Sequence, residues 1–142
     1  MEPEATTGVR ARRLAVELIE RIEDKGAFAN LVVPAALDGA DLPVQDRGLV
    51  TDLVYASIRR RRALDHIVSA FVASPPDPVV TRLLRIGAYQ LLETDCAPYA
   101  AVNCTVEAAP KKVRGFVNAV LRRVAREGER VPFPNLATEM PY

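Results

Sequence analysis

Apolar residues recur along this chain at intervals of three and four, the spacing that collects them on one side of a helix. From Gly8 to Asp24, Ala11, Leu14, Ala15, Leu18, Ile19 and Ile22 share one face while Arg10, Arg13, Glu17, Glu20 and Asp24 share the other, and Gly26 supplies a stop. A short second helix is expected through Leu31, Val32, Val33 and Leu37. Asn30 is its expected cap, and Pro34 is tolerable only within the first turn or just after it. Asp38 to Pro43 reads as a loop whose proline pre-sets the first turn of a third helix. That helix turns Leu49, Val50, Leu53, Val54 and Ile58 inward and runs into Arg59, Arg60, Arg61 and Arg62.

The period resumes at Leu64, Ile67, Val68, Phe71 and Val72, then meets the rigid elbow Ser74-Pro75-Pro76-Asp77-Pro78. Val79, Val80, Leu83, Leu84, Gly87, Leu91 and Leu92 mark a strongly apolar fifth helix, expected at the centre of the core, with Gly87 admitting a neighbouring backbone. Pro98 opens a short helix through Val102, Val106 and Ala109 that Pro110 closes. In the last helix, Lys111 to Arg126, the inward positions are Val113, Phe116, Val117, Val120, Leu121 and Val124. No stretch alternates with the period of a strand. The pattern predicts an all-α bundle of about seven helices over 8–128, with residues 1–7 disordered and 129–142 a linker that carries Pro132, Pro134 and Pro141.

A chain of 142 residues with 49% hydrophobic and 26% charged side chains has the composition of one globular domain rather than of a disordered segment. No apolar run nears the roughly 18 residues of a membrane span, and the start, with Glu2 and Glu4, lacks the features of a signal peptide, so a cytoplasmic protein is expected. Cys96 and Cys104 stand eight positions apart, far from the single histidine, His66, which is not the spacing of a metal site. Free, partly buried thiols are the favoured reading, with a disulfide or a reactive cysteine as alternatives. His66 is expected on a helix surface or in packing, and a catalytic triad has no starting point.

The net charge of +1 conceals an asymmetry: residues 1–56 hold six basic and ten acidic side chains, and residues 57–142 hold thirteen and eight. One basic face can therefore meet an anionic partner. Three clusters qualify: Arg10, Arg12 and Arg13; Arg59, Arg60, Arg61 and Arg62; and Lys111, Lys112 and Arg114 with Arg122, Arg123 and Arg126. Arg10 and Arg13 share the solvent face of their helix, whereas Arg12 stands about 100° round from Arg13. Arginines offer phosphate a planar fork, yet such runs also serve as plain solvated faces, and Arg13 with Glu17 is spaced for an ordinary surface pair. Asn103 and Asn118 are expected to cap or cross-link helices, and Tyr55, Tyr89 and Tyr99 to sit in the core or its seams.

The string Leu83-Leu84-Arg85-Ile86-Gly87-Ala88-Tyr89-Gln90-Leu91-Leu92, then Ala101-Val102-Asn103 and Gly115-Phe116-Val117-Asn118-Ala119-Val120-Leu121-Arg122-Arg123, resembles the NusB family from about Arg10 to Arg126. Arg12-Arg13-Leu14-Ala15, Phe28-Ala29-Asn30-Leu31, Leu53-Val54-Tyr55 and Ala63-Leu64-Asp65 look more like the NusB-like N-terminal domains of the RsmB (Fmu/Sun) methyltransferases. The resemblance implies a NusB-like helical bundle that binds RNA, 16S rRNA in this branch, and that has no catalytic centre of its own. It also implies that the linker leads to an absent methyltransferase domain, which alone would bind S-adenosylmethionine. A stand-alone transcription antitermination factor, working with a small ribosomal protein, and a helical protein-docking module are the alternatives. Two positions depart from the family pattern. Cys104 stands where a glutamate is usual, and Tyr55-Ala56-Ser57 where a Tyr-Gly pair is common.

Overall fold

The computed structural model describes residues 6–133. They form seven α-helices: α1 (Thr7–Lys25), α2 (Ala29–Asp38), α3 (Val44–Arg59), α4 (Arg61–Ser69), α5 (Pro78–Glu93), α6 (Pro98–Ala108) and α7 (Arg114–Glu127). Single 3-10 turns at Lys111–Val113 and Gly128–Arg130 precede and follow α7. No strand occurs among the described residues.

Local chemistry sets most of these boundaries. The Thr6 hydroxyl accepts the Val9 amide at 3.3 Å and starts α1 just ahead of position 8, while the disorder expected further upstream lies outside the described residues. Gly26, at φ 71°, ends α1 in the left-handed conformation that a side chain disfavours. Pro78 and Pro98 occupy first-turn positions of α5 and α6, where a missing amide hydrogen leaves no partner wanting. The second helix departs from expectation. It begins at Ala29, with Phe28 rather than Asn30 at the cap position, and Pro34 lies inside it beyond the first turn, so one intrahelical bond is forgone.

Helix α5 is the hub. From Arg82 to Gln90 every residue is buried, and the helix touches α1, α3, α4, α6 and α7. Full burial of Leu83, Leu84 and Ile86 contributes roughly 1.5–3 kcal/mol each. Gly87 is required, though by a side chain and not by a backbone. A Cβ there would fall 2.6 Å from Leu121 Cδ2, so α5 and α7 meet with the leucine seated on the glycine. Ile58 and Phe116, expected inward, are 40% and 44% exposed, because each lies at the edge of its helix's apolar stripe. The expected linker also starts differently. Gly128 is buried against Leu92, Val131 packs on the core, and the His66 ring nitrogen Nε2 lies 2.7 Å from the Pro132 carbonyl, with Phe133 against the imidazole. The remainder of that expected linker lies outside the described residues.

Candidate nucleic-acid interface

The first arginine cluster divides along the helical wheel of α1. Arg10 and Arg13 stay on its outer side, while Arg12 turns inward beside Ala11, Ala15 and Val16 and is only 4% exposed. Its Nε and Nη2 donate to Gln90 Oε1 at 2.9 and 2.6 Å, and its Nη1 to the Gly8 carbonyl at 3.0 Å. Gln90 in turn donates to the Ile86 carbonyl at 3.0 Å and to Thr105 Oγ1 at 3.2 Å. Arg12 is thus the polar centre of a seam between α1, α5 and α6, and the expectation that it faces RNA is corrected: its guanidinium is spent on the interior. No ion pair joins it to a carboxylate among the described residues; the Cys96 sulfur stands 3.9 Å away. The Cys104 sulfur lies nearby, 3.7 Å from where a Cβ on Gly8 would stand, an ordinary van der Waals distance.

The second cluster fans out from the junction of α3 and α4. Arg60 pairs with Glu93 at 3.0 Å and Arg61 with Glu23 at 3.4 Å, Arg62 is exposed and engaged, and Arg59 is exposed. Glu23 belongs to a buried network that periodicity did not reveal. Arg82 reaches Glu23 at 3.0 Å and Asp24 at 2.9 Å, while Arg85 reaches Glu23 at 2.9 Å and grips Asp65 through Nε at 2.8 Å and Nη2 at 3.1 Å. Burial by itself would lower the Arg85 pKa, but the bonds and charges of Asp65 and Glu23 outweigh it and raise the value. The available signal was a pair of arginines inside an otherwise apolar helix, since such charges are buried only when paired.

The third cluster remains largely on the surface. Lys112 is exposed in the turn before α7, and Lys111, also exposed, is engaged. Arg122, Arg123 and Arg126 stand on the outer face of α7; Arg122 bonds Asn118 Oδ1 at 3.1 Å, and Arg123 lies 3.6 Å from Glu127 and 5.0 Å from the centre of the Phe71 ring. Asn118 therefore holds its own helix instead of cross-linking two. Arg114, partly buried, donates to the Ala109 carbonyl at 2.9 Å and to the Glu107 carbonyl at 3.0 Å. Arg13, arriving from α1, donates to that same Glu107 carbonyl at 2.9 Å. The fold thus joins part of the first cluster to the third at the C-terminus of α6. Arg10 leans the other way, onto the Asp41 carbonyl at 2.9 Å.

The remaining candidates are plain. Tyr89 is buried with its hydroxyl on Asp52 at 2.8 Å, Tyr55 is partly buried, and Tyr99 is 78% exposed, contrary to expectation, in the first turn of α6. Cys96 and Cys104 are free and partly buried. Among the described residues no helix is long and apolar enough to cross a membrane, and no cluster of histidine, cysteine and carboxylate side chains could hold a metal ion.

Known proteins are similar to this chain in sequence. The chain is 41% identical over 127 residues to a putative methyltransferase of Mycobacterium tuberculosis, an alignment covering 84% of the chain and 28% of that protein. It is 36% identical over 126 residues to a probable ribosomal RNA small subunit methyltransferase B of Bacillus subtilis, covering 82% and 28%, and 39% identical over 119 residues to ribosomal RNA small subunit methyltransferase B of Thermus thermophilus, covering 80% and 29%. The chain therefore spans less than a third of the length of these curated relatives. The model of the NusB family matches residues 9–126, which include every helix from α2 to α6 and most of α1 and α7. With five helices packed on the central α5 and that match along nearly all of the bundle, this chain belongs to the NusB family.

Proposed function

We propose that this chain is the RNA-recognition domain of a small-subunit (16S) rRNA cytosine-5 methyltransferase, corresponding to the N-terminal part of such an enzyme. It binds RNA in the cytoplasm without modifying it, and the S-adenosylmethionine chemistry belongs to the remainder of the enzyme. The observation that carries the reading is the outer face of α7, where Arg122, Arg123 and Arg126 stand exposed within little more than one turn and only Arg123 is within 4 Å of a carboxylate among the described residues. A helix edge of that charge meets phosphate and not apolar surface. The methyltransferase relatives supply the substrate class. Arg10, Arg13, Arg59, Arg60, Arg61, Arg62, Lys111, Lys112 and Arg114 complete the proposed cationic surface, and Arg12 is removed from it.

Fluorescence anisotropy with a labelled small-subunit rRNA fragment, titrated over a range of salt, tests the reading. About four phosphate contacts predict that log affinity falls with log salt at a slope of roughly −3 for single strands. Replacing Arg122 and Arg126 by glutamine should weaken binding and flatten that slope. A flat response in the unsubstituted chain, or no binding at low salt, would overturn the proposal. A stable complex with a small ribosomal protein, in place of RNA binding by the chain alone, would move it to the antitermination branch.

A further inference from the structure

The junction of α1, α6 and α7 holds two guanidinium groups closer together than their charges favour. Arg13 Nη2 and Arg114 Nη2 donate to one acceptor, the Glu107 carbonyl, at 2.9 and 3.0 Å. The Arg114 Nε is committed to Ala109 at 2.9 Å, which orients its plane, and that carbonyl likewise belongs to the end of α6. Capping a helix C-terminus accounts for one arginine, since its last carbonyls carry partial negative charge. The two lone pairs of the carbonyl can take both donors, but the second guanidinium brings a like charge that nothing offsets, since neither Arg13 nor Arg114 has a carboxylate within 4 Å among the described residues. Glu17 and Glu20 line the groove on one side of Arg13 without pairing to it, and Lys112 lies exposed just ahead of Arg114. Each guanidinium carries five N–H donors and uses one or two here, so several remain for a ligand.

We infer that Arg13 and Arg114 form a fork for a single phosphate group, and that its ligand is a phosphodiester of the RNA backbone. The α6 carbonyls act as the jig that sets the two forks side by side before the anion arrives, so little side-chain ordering is left to binding. An anion shared by both groups also relieves their mutual repulsion. The identity of the ligand rests on the RNA reading above, whereas the fork itself rests on geometry alone.

Two measurements separate those layers. In a double-mutant cycle with Arg13→Gln and Arg114→Gln, read by anisotropy with the labelled rRNA fragment, each single substitution should weaken binding about tenfold. The double variant should be within about threefold of either single one, because both lose the same bridged phosphate, whereas independent contacts would multiply to about a hundredfold. Arg122→Gln, about two turns further along α7, should multiply with either. Arg114→Lys keeps the charge but not the fork and should bind nearly as weakly as Arg114→Gln, and melting temperatures of all variants show whether the bundle remains folded. Separately, inorganic phosphate added to the unsubstituted chain should shift the Arg13 and Arg114 Nε–H resonances together and saturably. Multiplicative losses in the cycle, or resonances that do not move with phosphate, would overturn the fork. Coupled resonance shifts in a chain that binds no RNA would uphold the fork as a phosphate site and overturn the RNA reading.

Discussion

Arg12 Nη2 and Gln90 Oε1 lie 2.6 Å apart inside the bundle, a guanidinium held by a neutral amide where a carboxylate would be the usual partner. A buried charge is tolerated only while its donors are satisfied. The two ends of this contact are consequently unequal. Gln90→Leu leaves the cation buried with its principal acceptor gone and should cost about 3–5 kcal/mol. Arg12→Met leaves only a neutral oxygen unpaired and should cost about 1–3 kcal/mol. Urea unfolding of both variants checks the order. A larger loss for Arg12→Met would show that the guanidinium has other sources of solvation.

Glu23 is the node of the second network, touching Arg82, Arg85 and Arg61. Glu23→Gln removes the charge from beside two buried arginines and should cost about 3–5 kcal/mol, changing little with salt because the site is screened poorly by ions. Arg61→Gln acts at the same carboxylate from a half-exposed position and should cost less than about 1 kcal/mol. Equal losses for the two, measured by denaturant unfolding at low and high salt, would contradict the buried character of the node.

Tyr89 adds a dependence on alkali. Burial first, and then the bond to Asp52, push its phenol from 10.0 up to about 12. The folded value is therefore the higher one. The stability this tyrosine contributes is present in full below pH 10, where the unfolded phenol begins to ionise, and is lost as the pH rises towards 12. The phenolate absorbance that Tyr89→Phe removes should develop only towards pH 12, and the substitution should cost about 1 kcal/mol near neutrality. If the absorbance lost in Tyr89→Phe came instead from around pH 10, the assignment would be contradicted.

The seat of Leu121 on Gly87 can be probed by filling it. Gly87→Ala places a carbon 2.6 Å from Leu121 Cδ2, and Leu121 is fully buried, so its side chain must shift within the packed core. The cost should be about 1–3 kcal/mol despite alanine's better helix propensity. Combining it with Leu121→Val should recover part of that loss in thermal unfolding. Strict additivity of the two substitutions would mean that α5 and α7 adjust by moving apart.

Most of the architecture could be read from the apolar period, because the core of a helical bundle is written in that period. Gly26, Pro43, Pro78, Pro98 and Pro110 bracket the helices for backbone reasons that need no tertiary knowledge. Three misplaced side chains share a cause. Ile58, Phe116 and Tyr99 border their helices' buried stripes, and only the placement of a neighbouring helix decides on which side such residues fall. The site was less legible than the fold. Arg12 and Arg13 are adjacent in sequence and opposite in fate, since a turn of about 100° carries one into the seam and leaves the other outside. The Arg13 and Arg114 fork depends on α6 delivering one carbonyl between two distant segments, and no spacing in the sequence encodes that.

The two polar networks lie in opposite halves of α5, Arg82 and Arg85 in the first half and Gln90 in the second. An apolar hub could slide along its neighbours by one turn, about 5.4 Å, and still bury comparable surface. This one cannot, for such a slip would strand the Arg12 guanidinium at one end and the Glu23 and Asp65 carboxylates at the other. The charges in the interior act as index pins and, together with the seat of Leu121 on Gly87, fix which turn of the central helix faces which neighbour.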